Sequence, residues 1–305
     1  MSFQPGTLWE SILGRTTHAI HCGALHTIPT KSEFISEHGV NFLVRIVSNI
    51  ARKDAAEKEQ ERSSDAVEDQ PNPFLPYDED LYVADISDTH VAVLNKFNVV
   101  EQHLLIITRH FEDQETPLTV RDFEALWTCM GEYDGLVFYN SGETAGASQR
   151  HKHLQMVPLP LATAGPKVPI EPLLCIDDCS HTAGISPKLP FIHAIAKIDS
   201  SWLVSPQQTA RSTFELYNTM LELVWTKSDT VFDPKSQSKA YNLLVTRQWM
   251  LLVPRVAECF ASISINALGY AGALLVRNEW ELQLLKDTGP LAAIKQVSVT
   301  DDRGG

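Results

Sequence analysis

The chain has 305 residues, of which 44% are hydrophobic, and a formal net charge of −13 at pH 7. This length and composition predict a globular protein with one large domain or two closely packed ones. No apolar run approaches the roughly 20 residues that a membrane-spanning helix needs, and the first residues lack the layout of a signal peptide, so we expect a cytoplasmic protein. The acidic balance disfavours nucleic acid and membranes as partners, since both select a basic face.

The cysteines predict neither a disulfide framework nor a cysteine-rich zinc site. Their number is odd and no CxxC pair occurs. Cys175 and Cys179, with His181 nearby, could ligate a metal, but reduced thiols of a cytosolic protein are the simpler interpretation. We therefore predict no metal site. The five cysteines are Cys22, Cys129, Cys175, Cys179 and Cys259.

The first predicted elements are a helix, a strand and a loop. Apolar residues at helical spacing predict a helix from Thr7 to about Thr27, and the run VNFLVRIV predicts a strand over Val40–Val47. Residues 51–73 are charged, contain almost no large apolar side chain and end in prolines, as is typical of a flexible loop. On the sequence alone, Arg52 and Lys53 at its start are interpreted as a solvated basic pair.

An antiparallel sheet is predicted between Leu81 and Arg109. The runs LYVADI and HVAVL have the composition of strands, and the β-branched core LLIIT of NKFNVVEQHLLIITRH predicts a buried strand. Asn95 and Lys96 stand at the turn before this third run. His103 lies on the apolar strand, where a histidine is more often a hydrogen-bonded core residue than a catalytic one, so we leave it outside the catalytic set.

A helix and a strand follow. A start signal at Thr119, Asp122 in the first turn and apolar residues on one face predict a helix within residues 117–135. The run LVFYN predicts a strand over residues 136–140. This strand would deliver Asn140 into a loop rich in glycine and serine.

The stretch Tyr139–Leu159, YNSGETAGASQRHKHLQMVPL, joins that loop to a pair of histidines. Successive side chains on a β-strand point to opposite faces of the sheet. His151, His153 and Gln155 would therefore share one face, and Lys152 would lie on the other. Two imidazoles and an amide thus converge beside the loop.

The loop and the histidines together suggest phosphoryl chemistry. Neutral imidazole is a nucleophile near neutral pH when a partner holds the proton on its other ring nitrogen. A backbone carbonyl or His151 could do this for His153. Glycines and hydroxyls of the loop, with Gln149, could turn donors toward an anion. A His-x-His pair alone is more often a metal site or a surface pair, and such a loop alone is usually a turn, so the combination supports the interpretation.

The C-terminal part is predicted to return to the sheet. Residues 161–191 are rich in proline and irregular. After them we predict a strand over Ile192–Ile198, a helix over Pro206–Lys227 capped by Ser205, a hairpin over Tyr241–Arg255 that turns at Arg247 and Gln248, and a helix from Glu279 that ends near Lys286 to Gly289 and resumes after Pro290. The hairpin loosely echoes residues 98–110, which hints at an internal duplication.

The segment NSGETAGASQRHKHLQMV resembles the signature of the nucleotidyltransferase branch of the histidine-triad superfamily, most closely the ATP adenylyltransferases, also called diadenosine tetraphosphate (Ap4A) phosphorylases. Hydrolases of that superfamily typically have His where this chain has Gln155, so Gln155 points to transfer. The resemblance implies an α+β fold: a histidine-triad-like antiparallel sheet with flanking helices, built from two fused halves.

The implied organisation is a single catalytic unit over residues 1–290. Residues from about 30 to 160 would form the half with the active histidine, and residues from about 190 to 290 would form a degenerate half. The flexible loop 51–73 would interrupt the first half, and residues 291–305 would form a C-terminal tail.

The resemblance also implies the residues of the site. His153 would be the nucleophile, with Gln155 and His151 as catalytic neighbours. The family often has Lys in place of Arg277, which keeps the charge but changes the donor geometry. The implied substrate-binding residues are Lys53, Asn95, Lys96, Asn140, Gly146, Ala147, Ser148, Gln149, Gln155, Asn266 and Arg277.

The implied activity is the reversible cleavage of Ap4A by inorganic phosphate to ATP and ADP through a covalent nucleotidyl-histidine. We expect a monomer without a tightly bound cofactor, although a divalent cation such as Mg²⁺ could accompany the nucleotide. Two alternatives stay open. One is a uridylyltransferase acting on sugar 1-phosphates, a family that usually has Pro where this chain has Lys152. The other is a nucleotide-binding sensor without turnover, which would not need a nucleophile at His153.

Overall fold

A computed structural model describes residues 4–47, 72–176, 182–227 and 239–300. Most of the predicted loop 51–73, including Lys53, lies outside the described residues, as do Cys179, His181 and residues 301–305. In the part of the chain that is described, no helix is both long and apolar enough to cross a membrane.

The elements follow the chain as helices and short strands. The helices are α1 (Leu8–Cys22), α2 (Val120–Glu132), α3 (Glu171–Leu174), α4 (Pro206–Lys227), α5 (Ala267–Tyr270), α6 (Glu279–Thr288) and α7 (Pro290–Gln296), with 3₁₀ turns at Glu143–Ala145 and Ser200–Trp202. The strands are β1 (His26–Thr27), β2 (Thr30–Glu37), β3 (Val40–Val47), β4 (Tyr82–Asp85), β5 (His90–Leu94), β6 (Phe97–Asn98), β7 (Leu104–Thr108), β8 (Gly135–Asn140), β9 (His153–Pro158), β10 (Ala194–Lys197), β11 (Tyr241–Val245), β12 (Trp249–Pro254), β13 (Cys259–Phe260), β14 (Ile263–Ser264) and β15 (Ala273–Val276).

Most predicted elements are confirmed, and two boundaries differ. Helix α1 ends at Cys22 rather than near Thr27, because Gly23 adopts a left-handed conformation that closes the helix. The predicted tail 291–305 begins too early: Leu291 and Ile294 of α7 are buried in the core.

The centre of the molecule is an eight-stranded sheet in the order β10-β12-β11-β8-β9-β7-β5-β4. All neighbouring strands are antiparallel. Helices α1, α2 and α4 cover one face, where Phe123 and Tyr217 share a hydrophobic core with Leu154 and Met156 of β9. The other face carries a second core, formed with the three-stranded sheet β15-β3-β2 and helices α6 and α7. The predicted α+β class and antiparallel sheet are confirmed.

One structural unit of the sheet occurs twice. The order β7-α2-β8-β9 recurs as β10-α4-β11-β12, and the last strand of each unit lies between the other two. The two units meet where β8 pairs with β11. The sequence-based echo between the hairpin β11-β12 and residues 98–110 is therefore wrong, because the topology matches this hairpin to β8-β9. The boundaries of the two halves, about 30–160 and about 190–290, stay a prediction.

The strand registers show which residues of the second unit occupy the positions equivalent to His153 and Gln155. Ile107 lies opposite His153 in the first unit, and Lys197 lies opposite Trp249 in the second. Aligning the strands at their first residues makes Trp249 the counterpart of His153 and Leu251 that of Gln155. Both Trp249 and Leu251 are buried in the second core. The second unit thus presents apolar bulk where the first presents polar groups.

A buried polar network holds β9 against helix α2. Asp122 accepts from the backbone N–H of Thr119 and completes a capping box at the predicted start of the helix. Its carboxylate also contacts His90 and the ammonium of Lys152, which is fully buried. Burial raises the pKa of Asp122, but the hydrogen bond with His90 and the charge of Lys152 outweigh this effect and hold the pKa below its usual value. Lys152 thereby anchors the strand between its two histidines.

We expect Asp122→Ala to lower the free energy of unfolding by about 3 kcal/mol, because the helix loses its cap and Lys152 loses a buried partner. The matched control is Arg121→Ala on the same turn, whose side chain is 65% exposed and should contribute under about 0.5 kcal/mol. Denaturant unfolding followed by circular dichroism measures both. Equal losses in the two variants would contradict the anchoring role.

Candidate active site

The predicted trio lies on the face of the sheet opposite α2. His153 and Gln155 belong to β9, and His151 precedes it in an isolated bridge with Asp113. The ring of Phe74 lies 5.5 Å from the rings of both histidines. The predicted sharing of one face is therefore confirmed.

His153 is held as a neutral imidazole with one nitrogen assigned to the protein. Its Nδ1–H donates to the backbone carbonyl of His151 at 2.8 Å, which leaves the lone pair on Nε2. Burial, together with the nearby His151, lowers the pKa of His153 to about 4. The ring is thus unprotonated at Nε2 near neutral pH, as a nucleophile requires.

Gln114 fixes the backbone around this histidine. Its Oε1 accepts from the N–H of His153 at 2.8 Å, and its Nε2 donates to the carbonyl of Asn140 at 2.8 Å and to that of His153 at 3.2 Å. A single buried side chain therefore ties the start of β9 to the end of β8. The sequence contains no signal for this contact, because Gln114 lies in an irregular segment.

His151 uses both ring nitrogens within the protein. Its Nε2–H donates to the carbonyl of Thr108 at 2.7 Å, and its Nδ1 accepts from the amide of Asn72 at 2.9 Å. Burial lowers the pKa of His151, so this ring is also neutral. These contacts make His151 an orienting residue for His153; its predicted catalytic role stays a prediction.

Gln155 belongs to a hydrogen-bonded chain that starts at Asn95. The amide of Asn95 donates to Nδ1 of His103 at 3.2 Å, and Nε2–H of His103 donates to Oε1 of Gln155 at 3.0 Å. Burial lowers the pKa of His103 to about 4, so its ring is neutral with the proton on Nε2. This series of hydrogen bonds occupies Oε1 of Gln155, so its NH₂ group is the end that can donate to a ligand. His103 is a hydrogen-bonded buried histidine, as predicted, but it also orients Gln155.

The Gly/Ser-rich loop forms a tight turn. Gly142 and Gly146 have φ values of 81° and 87°, which a residue with a side chain rarely adopts. The N–H of Gly146 donates to the carbonyl of Glu143, and that of Ala147 to the carbonyl of Gly142. Both groups thus stabilise the turn itself. The N–H groups of Ser148 and Gln149 make no backbone hydrogen bond among the described residues, and Ser148 is exposed.

Asn140 and Asn266 meet beside the loop. Oδ1 of Asn140 accepts from the N–H of Ala267 at 2.9 Å, whereas its Nδ2 has no hydrogen-bond partner among the described residues although the side chain is 1% exposed. Asn266 caps α5 by accepting from Leu268. A Cβ on Gly146 would lie 2.9 Å from that of Asn266, so only glycine allows this approach. The structure thereby brings Asn140, Gly146 and Asn266 together.

Lys96 and Arg277, two of the remaining predicted residues, make none of these contacts. Lys53 is outside the described residues, and the exposed Lys96 has its carbonyl bonded to His26. Arg277 forms an ion pair with Glu281 at the start of α6 and donates to Ser262. Among the hydrogen bonds of the described residues, none joins Arg277 or Lys96 to the histidines or the loop. Their substrate-binding roles stay predictions.

One group of possible metal ligands occurs among the described residues. His18, Cys22 and Asp80 bring one ligand atom each within 4.8 Å of one another, and all three are exposed. The carboxylate of Asp80 already bonds His18 at 2.7 Å. Helix α1, which carries two of them, covers the sheet face opposite the histidines. This group is therefore separate from the site.

The depressed pKa values of His103 and His153 predict a stability that falls in acid. Between pH 6.5 and about 4 the unfolded chain binds more protons than the folded chain. The contribution of these histidines to the free energy of unfolding is therefore fully present above about pH 6.5 and is lost as the pH falls toward about 4. Each histidine contributes a slope approaching about 1.4 kcal/mol per pH unit. Denaturant unfolding at pH 7.0 to 4.5 measures it. The His103→Asn variant lacks one titrating group and should have a shallower slope; an unchanged slope would contradict the buried neutral state of His103.

Comparisons with known proteins identify the family of the chain. The family model of the Ap4A phosphorylase N-terminal domain matches residues 1–176, and that of the ATP adenylyltransferase C-terminal domain matches residues 187–300. The chain is 29% identical over 270 residues to diadenosine 5',5'''-P1,P4-tetraphosphate phosphorylase 2 of Saccharomyces cerevisiae, which covers 81% of this chain and 79% of that protein.

Solved structures show the same fold. The crystal structure of yeast Ap4A phosphorylase Apa2 matches with a TM-score of 0.78 at 23% identity, covering 99% of this chain and 98% of that one. The structure of Apa2 in complex with Ap4A matches with a TM-score of 0.76 at 23% identity, covering 98% and 99%. The first family model covers more than half of the chain. The chain therefore belongs to the Ap4A phosphorylase family.

Proposed function

We propose that the chain is a nucleotidyltransferase that cleaves Ap4A with inorganic phosphate to ATP and ADP, reversibly, through a covalent nucleotidyl group on His153. The observation that carries this proposal is the hydrogen bond from Nδ1–H of His153 to the carbonyl of His151. It leaves an unprotonated Nε2 on a strand that the Gly/Ser-rich loop precedes in the chain. The family and the relative that acts on Ap4A supply the substrate.

In the first step, the lone pair of His153 Nε2 attacks the phosphorus next to one adenosine. A P–N bond forms, the P–O bond to the bridging oxygen breaks, and ATP leaves with that electron pair. The Nδ1 proton stays on the ring, stabilised by the carbonyl of His151. Attack on a crowded anionic phosphorus depends on positioning and charge neutralisation more than on acid–base catalysis.

In the second step, an oxygen of inorganic phosphate attacks the same phosphorus. The P–N bond breaks, its electron pair returns to Nε2, and ADP leaves. Each step exchanges one phosphorus bond for another of similar kind, so the sequence can run in either direction. His153 then has the same protonation state as at the start.

Gln155 would bind the phosphoryl oxygen during both steps. Because His103 holds Oε1, the NH₂ group is the end directed to the ligand. An amide donates hydrogen bonds but cannot accept a proton from water, in contrast to the third histidine of the hydrolases. This difference favours an anionic acceptor over water.

The distal phosphates need further positive charge. Lys53, Lys96 and Arg277 are the proposed sources, and a divalent cation such as Mg²⁺ could accompany the nucleotide. We further propose a monomeric cytoplasmic enzyme. The second unit completes the eight-stranded sheet within one chain, a place that a partner subunit could otherwise take.

The two alternatives are weaker. A uridylyltransferase usually has Pro between the histidines, whereas Lys152 here forms a buried ion pair with Asp122. A binding protein without turnover would have no need for a neutral, oriented imidazole at His153. These two observations favour the phosphorylase over both alternatives.

The direct test is incubation with Ap4A, with and without inorganic phosphate, beside His153→Ala. We expect ATP and ADP only with phosphate, and a loss of at least about 10⁴-fold in the variant, since the nucleophile is removed. The matched control is His193→Ala: this ring is also buried, and its Nδ1 also bonds the carbonyl two residues earlier, that of Phe191, at 2.8 Å. Phosphate-independent formation of ATP and AMP would instead indicate a hydrolase.

A second prediction concerns the hydrogen bonds that link Asn95, His103 and Gln155. We expect His103→Ala to lower kcat about tenfold or more, because the amide of Gln155 loses the bond that orients it. His103→Gln, which can still donate to Oε1, should recover part of the loss. Rapid-quench measurement of ATP release in a single turnover tests both variants. Normal rates in His103→Ala would show that Gln155 needs no orienting partner.

A further inference from the structure

Arg255, which directly follows β12, is a buried cation. Its side chain is 5% exposed, and no carboxylate oxygen of the described residues lies within 4.0 Å of its guanidinium. The group instead donates to the side chain of Asn242 and to backbone carbonyls, which are those of Ala145, Ala257, Glu258 and Val297. Burying a charge without an ion-pair partner costs desolvation free energy.

The contacts of Arg255 lead directly to the loop. Its Nη1 donates to Oδ1 of Asn242 at 2.6 Å, and Nδ2 of Asn242 donates to Oδ1 of Asn140 at 2.8 Å. The same Nδ2 donates to the carbonyl of Ala145, within the loop's 3₁₀ turn, at 2.8 Å. Asn242 is fully buried. This series of donors and acceptors can run in only one direction, because Arg255 can only donate.

The direction of the series determines how Asn140 is oriented. Its Oδ1 is occupied by Asn242 and by the N–H of Ala267, so the amide cannot rotate by 180° without losing both bonds. The Nδ2 group remains, buried and without a partner among the described residues. Buried donors are rarely left unpaired, so this one indicates a missing acceptor.

We infer that Arg255 is a positioning residue for the phosphoryl group: acting through Asn242, it aims Nδ2 of Asn140 at a phosphate oxygen of the substrate. This inference rests on the proposed function, in which the loop from Asn140 to Gln149 binds the phosphate beside His153. The guanidinium, which forms no ion pair within 4.0 Å among the described residues, also places a fixed positive charge behind the loop. In a chain of net charge −13, such a local charge is what an anionic ligand needs.

The inference gives the second structural unit a part in the reaction. Arg255 and Asn242 come from β11-β12 and its end, whereas Asn140 ends β8 of the first unit. Asn140 and Asn242 lie directly opposite each other where the two units pair. The unit that has Trp249 and Leu251 in place of the polar groups thus supports the site of the other unit.

The test compares the binding of AMP and of adenosine to Arg255→Gln by isothermal titration calorimetry. We expect the affinity for AMP to fall about tenfold and that for adenosine to change less than twofold, because only AMP carries the phosphate. The matched control is Arg247→Gln: this arginine, at the turn of the same hairpin, also donates to backbone carbonyls, those of Met130 and Tyr133, but away from the loop. It should leave both affinities unchanged.

A second variant keeps the test decisive if Arg255→Gln does not fold. Asn242→Asp preserves the size of the side chain but pairs the guanidinium with a carboxylate, so AMP affinity should fall while adenosine affinity stays. Equal losses for AMP and adenosine, or no loss for either, would overturn the inference.

The outcome can be separated from that of the proposed function. If wild-type protein shows selective AMP binding that depends on Arg255 but no turnover that depends on His153, the inference stands and the proposed reaction fails. If wild-type protein turns over Ap4A while Arg255→Gln behaves as Arg247→Gln does, only the inference fails. A wild-type chain that neither binds AMP nor cleaves Ap4A would overturn both.

Discussion

The hydrogen bond between Nδ1–H of His153 and the carbonyl of His151 is the constraint on which the site depends. Its acceptor is a backbone carbonyl, and His151 lies just before β9 in an isolated bridge with Asp113. Thr108 and Asn72 hold the ring of His151, and Gln114 holds the N–H of His153. Burial then keeps the imidazole neutral, so tautomer and protonation state are both settled before substrate binds.

Two similar units provide different parts of the same site. In the first unit, β9 carries His153 and Gln155, with His103 behind the amide. In the second, the corresponding strand carries Trp249 and Leu251, which fill the apolar core. Apolar side chains at these positions can be buried without the cost of burying a polar group. We infer that the remaining contribution of the second unit to chemistry is the buried guanidinium of Arg255 behind the loop.

Much of the fold could be predicted from local patterns. The helix start at Thr119 and the alternation along β9 are determined within a few residues, and both are confirmed. The internal echo in the sequence points to the wrong strands, because short apolar strands resemble one another and only their pairing identifies them. The apolar pattern extends α1 past its true end, because the pattern does not contain the left-handed conformation that Gly23 adopts in the structure.

By itself, the sequence determined which side chains of β9 share a face and that a Gly/Ser-rich loop precedes them, since strand alternation and glycine conformation are local properties. Only the tertiary structure decided which partners orient them. His103 reaches Gln155 from 52 residues away in the chain, and Ala267 reaches Asn140 from 127. Such partners depend on which strands become neighbours in the sheet. A buried donor or acceptor takes whichever group the packing places beside it, and no local pattern of residues contains that information.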